Sequence, residues 1–109
     1  GAQVEMHHYE PLFKDMRQDK QLLNLFKDVM TEFGESPRIL PDDEADGSTD
    51  VGNVSYEVPT AQPTLQIGLG LEAHTPEFTC AAGSDYGLDQ AIKGAKIMAV
   101  VALRYAMCK

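Results

Sequence analysis

The sequence predicts an α/β fold with few strands and two main helices. Three patterns lead to this prediction. Apolar residues recur at helical spacing from Lys20 to Phe33, alternate with period two from Thr64 to Leu69, and dominate a long stretch from Asp85 to Met107. The chain has 109 residues, of which 43% are hydrophobic and 24% charged. This is the size and composition of one globular domain or of a piece of one.

The first third of the chain predicts a strand and a helix. Val4–His8 alternates loosely, which indicates a short strand that Pro11 ends. A helix is predicted over Lys20–Phe33, with Asp19 as its N-cap and Gly34 placed to end it in a left-handed conformation. Its apolar face consists of Leu22, Leu23, Phe26, Val29, Met30 and Phe33.

The middle of the chain reads as loop and turn. Ser36–Gly47 contains two prolines and an acidic cluster, which is typical of a solvated loop. Ser48 or Thr49 is expected to cap a short helix over Val51–Val58, which Pro59 ends. The acidic cluster comprises Asp42, Asp43, Glu44 and Asp46.

The last part of the chain predicts a strand and a long helix. The alternation in Thr64–Leu69 is that of a strand, and Ala73–Phe78 is expected to be a loop leading into a turn. A helix is predicted over Asp85–Met107, capped by Ser84 or by Asp85 itself. It is apolar nearly all round and must therefore be buried on several sides. The other predicted elements are too few to cover it, which indicates either a symmetry mate or the rest of a larger domain.

Charge and cysteine content exclude several classes of function. Nine Lys and Arg against 17 Asp and Glu give a net charge of −8, so nucleic acid and anionic membrane surfaces are not expected partners. The longest apolar run, around Ile97–Leu103, is far short of the roughly 20 residues that span a bilayer. Cys80 and Cys108 lack the spacing of a metal site or a disulfide framework. Because no signal peptide opens the sequence, we expect a cytoplasmic protein. The chain begins Gly1-Ala2 without an initiator methionine, and we expect the natural protein to extend upstream.

Histidines are the first candidates for chemistry. His74 follows a predicted strand end, where open α/β sheets place ligands, and its imidazole is a candidate ligand for Zn²⁺. A surface or hydrogen-bonded histidine is the alternative. Glu77 is either an outer hydrogen-bond partner of the ligating His74 or a turn residue. His7 and His8 are adjacent, so on a strand they face opposite sides and cannot both bind one ion from the same face.

The turn before the predicted short helix is the second candidate. Successive backbone N–H groups over Gly47, Ser48, Thr49 and Asp50 make a pocket that suits an anion such as a substrate carboxylate. Capping alone is the alternative. No glycine-rich phosphate loop, nucleophile elbow or HExxH helix occurs, so the chain's own residues do not assemble a complete active site.

Two segments resemble a known family. Gly47–Ser55, with Val58–Thr60 after it, is similar to a signature of the aminoacylase/carboxypeptidase-type zinc amidohydrolases. His74–Phe78, followed by Ala81–Ser84 and an alanine-rich helix, resembles the C-terminal metal-ligand motif of the same family. The nearest branch contains p-aminobenzoyl-glutamate hydrolases and dipeptide amidohydrolases. The resemblance covers the chain from about Tyr9 to its end.

This resemblance implies an architecture. The chain corresponds to the C-terminal part of a zinc-peptidase-like α/β/α domain. Residues 1–8 would be the end of a lid domain or the crossover strand from it, and residues 9–109 the C-terminal segment of the metal-binding catalytic domain. The missing N-terminal half of that domain would be the chain's main partner, and a homo-oligomer is expected.

The resemblance also implies roles for particular residues. His74 matches a ligand of one of two divalent metal ions, zinc or manganese, in the full-length active site. Gly47 and Ser48 match the turn near the substrate's carboxylate, which Thr49 and Asp50 shape. The catalytic glutamate and most metal ligands belong to motifs that this sequence lacks, so no catalytic residue is assigned within it.

The implied function is hydrolysis of the amide bond of N-acyl amino acids or dipeptide-like substrates by the full-length protein. The isolated chain would be inactive. The alternative is a stand-alone, non-catalytic interaction module, with a homodimer burying the last helix.

Overall fold

A computed structural model describes residues 1–41, 44 and 47–108. Within these residues the chain forms helices and no strand, so the predicted α/β class is wrong and the fold is helical. Three residues of the predicted acidic cluster, Asp42, Asp43 and Asp46, lie outside the described residues. The helices are α1 (Lys20–Glu32), α2 (Val51–Val54), α3 (Pro76–Ala82) and α4 (Asp85–Met107).

The helix α1 confirms its prediction closely. The Asp19 carboxylate accepts a hydrogen bond from the Leu22 amide at 2.8 Å, as an N-cap does. Gly34 follows the helix with φ of +83°, in the left-handed region that glycine adopts without a Cβ clash. The Asp19 amide also donates to the carbonyl of Thr60 at 2.8 Å, which joins the start of α1 to the segment after α2.

The long helix α4 is also confirmed. Ser84 is its N-cap and accepts from the Gly87 amide at 3.1 Å. Although α4 has 23 residues, no helix of the described part combines the length and apolar character needed to cross a membrane. The predicted burial on several sides is not found in this chain, because Leu88, Ile92 and Leu103 are more than half exposed.

Both predicted strands are wrong. Val4–His8 and Thr64–Leu69 lie in irregular structure. A strand is stable only when its backbone pairs with a neighbour, and in the described residues no backbone–backbone hydrogen bond involves 64–69. The period-two pattern matches burial only in part, since Leu65 and Ile67 are half-buried but Leu69 is 87% exposed.

Two short helices depart from expectation. Ala73–Phe78 was expected to be loop and turn, yet α3 begins at Pro76, and Thr75 caps it by accepting from the Phe78 amide at 3.2 Å. The helix predicted over Val51–Val58 is shorter, ending at Val54. The Ser55 hydroxyl donates to the Gly52 carbonyl at 2.6 Å, a local bond that competes with continued helix.

The core lies where α1 crosses α4. Its buried apolar side chains among the described residues are Val29, Met30, Ile97 and Val101. Half-buried neighbours, including Phe26 and Leu65, pack around them, and α3 contacts α4 nearer its start. The fold therefore places both candidate site segments outside this small core.

Candidate functional site

The turn at residues 47–50 leads directly into α2. Gly47, Ser48 and Asp50 are exposed and Thr49 is half-buried. Asp50 occupies the N-cap position but its carboxylate makes no capping hydrogen bond, which leaves it available at the surface. The prediction that Ser48 or Thr49 is the N-cap is therefore wrong. The Thr49 hydroxyl accepts from the Val51 amide at 3.3 Å, which is a local turn bond two residues along the chain.

Several backbone amides at this turn already donate hydrogen bonds to acceptors within the turn. The Gly52 amide donates to the Thr49 carbonyl at 3.3 Å, and the Asn53 amide to the Asp50 carbonyl at 2.9 Å. With the Val51 amide bonded to Thr49, the first three amides of α2 have partners inside the turn. An incoming carboxylate would have to use the amides that precede them. The predicted carboxylate-binding role stays a prediction.

A segment from far earlier in the chain holds α2 in place. We call residues 12–17 the strap. Asn53 binds it twice, accepting from the Lys14 amide at 2.7 Å and donating to the Leu12 carbonyl at 3.1 Å. The Ser55 hydroxyl accepts from the Arg17 amide at 2.9 Å. The contact is so close that a Cβ at Gly52 would lie 2.1 Å from the carbonyl oxygen of Lys14.

Tyr56 completes the contact between α2 and the strap. Its hydroxyl donates to the Asp15 carboxylate at 2.5 Å, and the Arg17 guanidinium and Lys14 ammonium lie over its ring at 3.8 and 4.5 Å. The hydrogen bond from Tyr56 lowers the pKa of Asp15, and the same bond raises the pKa of Tyr56. Sequence reasoning missed these residues, because their partners lie about forty positions away.

His74 lies in the turn before α3, on an exposed part of the surface. Its φ is +65°, in the left-handed region that an L residue with a side chain adopts at a cost. Thr75 and Pro76 after it begin α3, so the helix fixes where the imidazole is attached. Glu77 is exposed in the first turn of α3, and the described structure contains no hydrogen bond or ion pair between it and His74.

The described residues do not by themselves form a metal site. No group of three or more His, Cys, Asp or Glu side chains among them is arranged to hold an ion, whereas zinc takes three or four protein ligands. His7 lies 3.5 Å from the Glu5 carboxylate, with both side chains exposed. With His74 as the one candidate ligand, the described residues do not fit a self-contained zinc site.

Comparison with known proteins gives a partial relationship. Over 57 residues the chain is 44% identical to the human and mouse proteins named Xaa-Arg dipeptidase. The aligned part covers 52% of this chain and 13% of each relative. No family model matches the chain, and no solved structure matches it.

The chain is similar in part to a dipeptidase. This confirms the predicted resemblance at the level of a peptidase-type amidohydrolase. The branch of the family, the metal and the site residues rest on the sequence motifs alone.

Proposed function

We propose that these 109 residues are part of a metal-dependent amidohydrolase that cleaves dipeptides or N-acyl amino acids, and that they are inactive alone. The 44% identity to Xaa-Arg dipeptidase over 57 residues carries the proposal. The aligned residues cover 13% of the length of those relatives, which supports placing the catalytic residues outside this chain.

In this proposal each candidate segment has one role. His74 supplies one ligand to a two-metal site of zinc or manganese, whose other ligands come from the rest of the polypeptide. Gly47 and Ser48 lie beside the substrate's carboxylate, with Thr49 and Asp50 shaping the turn. The strap supports this role, because it fixes α2 and with it the residues that precede it.

The charge of the chain bears on the substrate. A net charge of −8 favours cationic substrates over anionic ones near its surface. We therefore infer that dipeptides with an arginine residue are better substrates than neutral dipeptides or N-acetyl amino acids.

The test is a comparison of variants in the natural polypeptide purified from its source. His74→Ala should lower both bound metal and the rate of dipeptide hydrolysis by orders of magnitude. His7→Ala, a change of the same kind at another exposed histidine, should leave both unchanged. Arginine-containing, neutral and N-acetyl substrates should be measured side by side.

Two outcomes would contradict the proposal. Full metal content with unchanged hydrolysis in His74→Ala would remove the ligand assignment. A natural polypeptide that hydrolyses none of the three substrates would remove the function, and the interaction module would then be the better reading.

A further inference from the structure

The helix α2 depends on neighbouring segments for its support. It has four residues, and a helix of that length is not stable by itself. Among the described residues, α1 contacts α4 and α3 contacts α4, but α2 contacts none of the other helices. The segments that hold it are the strap, at residues 12–17, and the chain after it, where the Thr60 carbonyl accepts from the Asp19 amide.

Asn53 makes the central link between α2 and the strap. Its Oδ1 accepts from the Lys14 amide at 2.7 Å, and its Nδ2 donates to the Leu12 carbonyl at 3.1 Å. One side-chain amide therefore pairs with two backbone groups of the strap, as the peptide group of a neighbouring strand would. An ionised aspartate in its place could accept but not donate, and an alanine could do neither.

The backbone of Asn53 binds the candidate turn at residues 47–50 while its side chain binds the strap. The Asn53 amide donates to the Asp50 carbonyl at 2.9 Å, and the Gly52 amide donates to the Thr49 carbonyl at 3.3 Å. Gly52 is buried against the Lys14 carbonyl. A displacement of α2 from the strap must therefore also displace the carbonyl groups that form the turn.

The strap is itself held by the core. It leads directly into α1, whose N-cap is Asp19 and which contributes Val29 and Met30 to the core. The Ser55 hydroxyl accepts from the Arg17 amide at 2.9 Å, which joins the strap to the end of α2 by a second bond. The position of the turn is thus determined by a continuous route from the core through α1 and the strap to α2.

The turn has little support of its own. Gly47 and Ser48 are exposed, and a Cβ built at Gly47 would meet no atom within 4 Å. Because no other contact of this kind holds these two residues, their orientation depends on the bonds made at Asn53.

We propose that Asn53 is a positioning residue. Its bonds to the strap orient the turn at residues 47–50 and so determine the preference of the enzyme for substrates with a free C-terminal carboxylate. This inference rests on the proposed function, in which Gly47 and Ser48 lie beside the substrate's carboxylate. Both polar atoms of the Asn53 side chain are bonded to the strap, so the residue acts through the turn and not by contact with the substrate.

Substrate selectivity of the natural polypeptide tests this. The substrates are alanyl-arginine and its C-terminal amide, which lacks the carboxylate, and the quantity compared is the ratio of their kcat/KM values. Asn53→Ala should lower this ratio by about tenfold or more, through a higher KM for the free acid. Its metal content and its kcat/KM for the amide should be nearly unchanged.

The control is Asn24→Ala, the same change at an exposed asparagine on α1, which should leave the ratio at the parent value. The ratio also separates positioning from stability. A variant that only folds less well loses activity on both substrates equally, so its ratio stays that of the parent.

Ser55→Ala tests the same route at a second point. It removes the acceptor for the Arg17 amide and leaves Asn53 in place. It should lower the ratio in the same direction, and the double variant should lose less than the two single changes combined, because both act through one contact. Fully independent effects would contradict the strap as their common route.

Hydrogen exchange provides a readout that does not depend on activity. In the natural polypeptide, the Gly52 amide, which donates to the Thr49 carbonyl, should exchange several-fold faster in Asn53→Ala and at the parent rate in Asn24→Ala. An unchanged Gly52 rate, an unchanged substrate ratio, or a parent with no preference for the free acid would each overturn the proposal.

These failures are separable from failure of the proposed function. A parent that prefers the free acid to the same extent as Asn53→Ala contradicts only the positioning role. A parent that cleaves neither substrate contradicts the proposed function and the carboxylate preference with it, and the Gly52 exchange rate then decides whether Asn53 holds the turn.

Discussion

The Arg104 guanidinium on α4 donates two hydrogen bonds to the Glu32 carboxylate at the end of α1, at 2.6 and 2.8 Å. Such a bidentate pair fixes the orientation of the two side chains as well as the distance between them. A second bridge joins Lys93 Nζ to Glu35 Oε1 at 2.6 Å. The core residues Ile97 and Val101 lie between the two bridges along α4, so the ion pairs bracket the contact that holds the fold together.

The first prediction concerns the thermal stability of the chain at low pH. The bond from Arg104 holds the pKa of Glu32 below its usual value. A carboxylate with a folded-state pKa below its unfolded-state pKa stabilises the fold above the unfolded value, and that stability is lost as the pH falls. The unfolding temperature of this chain should therefore fall as the pH drops below about 4.3, the usual pKa of glutamate.

A matched pair of variants isolates this effect. At pH 7, Glu32→Gln should unfold at a lower temperature than the parent. Its unfolding temperature should also fall by less than the parent's on acidification, as followed by circular dichroism. Glu57→Gln, at another exposed glutamate, should keep the parent's pH dependence. If the unfolding temperature of Glu32→Gln falls with pH as steeply as that of the parent, the Glu32–Arg104 pair contributes nothing to the pH dependence of stability.

The second prediction concerns the core. Ile97 is 2% exposed, so Ile97→Ala should cost about 2–5 kcal/mol of unfolding free energy in urea titrations. Ile92→Ala, the same change on the same helix at a side chain 55% exposed, should change it by within about 0.5 kcal/mol. Equal losses would mean that α4 is packed differently. In the natural polypeptide, Ile92→Ala should also be destabilising if its face is covered there.

The third prediction concerns the strap. Gly52→Ala places a methyl group 2.1 Å from the Lys14 carbonyl oxygen, so the strap must move, at about 1–3 kcal/mol. Hydrogen exchange of the Lys14 and Arg17 amides, which are bonded to Asn53 and Ser55, should speed up. Gly47→Ala has no atom within 4 Å of the new methyl group and should leave both amides protected. Unchanged exchange in Gly52→Ala would contradict the strap contact.

The fourth prediction separates stability from function at His74. Because φ is +65°, His74→Gly should raise the unfolding free energy of the isolated chain by no more than about 1 kcal/mol and should not lower it, since relief of the left-handed conformation offsets the greater unfolded-state entropy of glycine. In the natural polypeptide the same variant should lose metal and dipeptide hydrolysis, since the imidazole is gone. His8→Gly should not stabilise the isolated chain, and it should leave metal content and dipeptide hydrolysis of the natural polypeptide unchanged. A destabilised His74→Gly chain would show that the turn does not hold this conformation.

Local sequence signals predicted α1 and α4. The strand predictions are wrong because those segments have no neighbouring strand to pair with in the described chain. Asp19, Gly34 and Ser84 are cap residues whose roles depend only on their neighbours, so α1 and α4 have nearly the predicted bounds. Thr75-Pro76 is an equally local start signal for α3, and it was available in the sequence. Strand formation at 64–69 depends on a partner that the described chain does not supply, which period-two alternation cannot reveal.

Only part of the candidate site could likewise be predicted from the sequence. Motif resemblance singled out His74 and the turn before α2, but no local pattern indicates that Tyr56 binds Asp15 or that Asn53 binds Leu12. Those bonds join residues 41 positions apart. They depend on how the chain returns on itself, and only the structure places them.

The mass of the natural polypeptide in its source cells, from intact-protein mass spectrometry, tests the central claim most directly. The account predicts a chain several-fold heavier than 11.9 kDa that contains these 109 residues. A natural mass near 11.9 kDa would contradict it, because no remaining polypeptide would exist to complete the metal site.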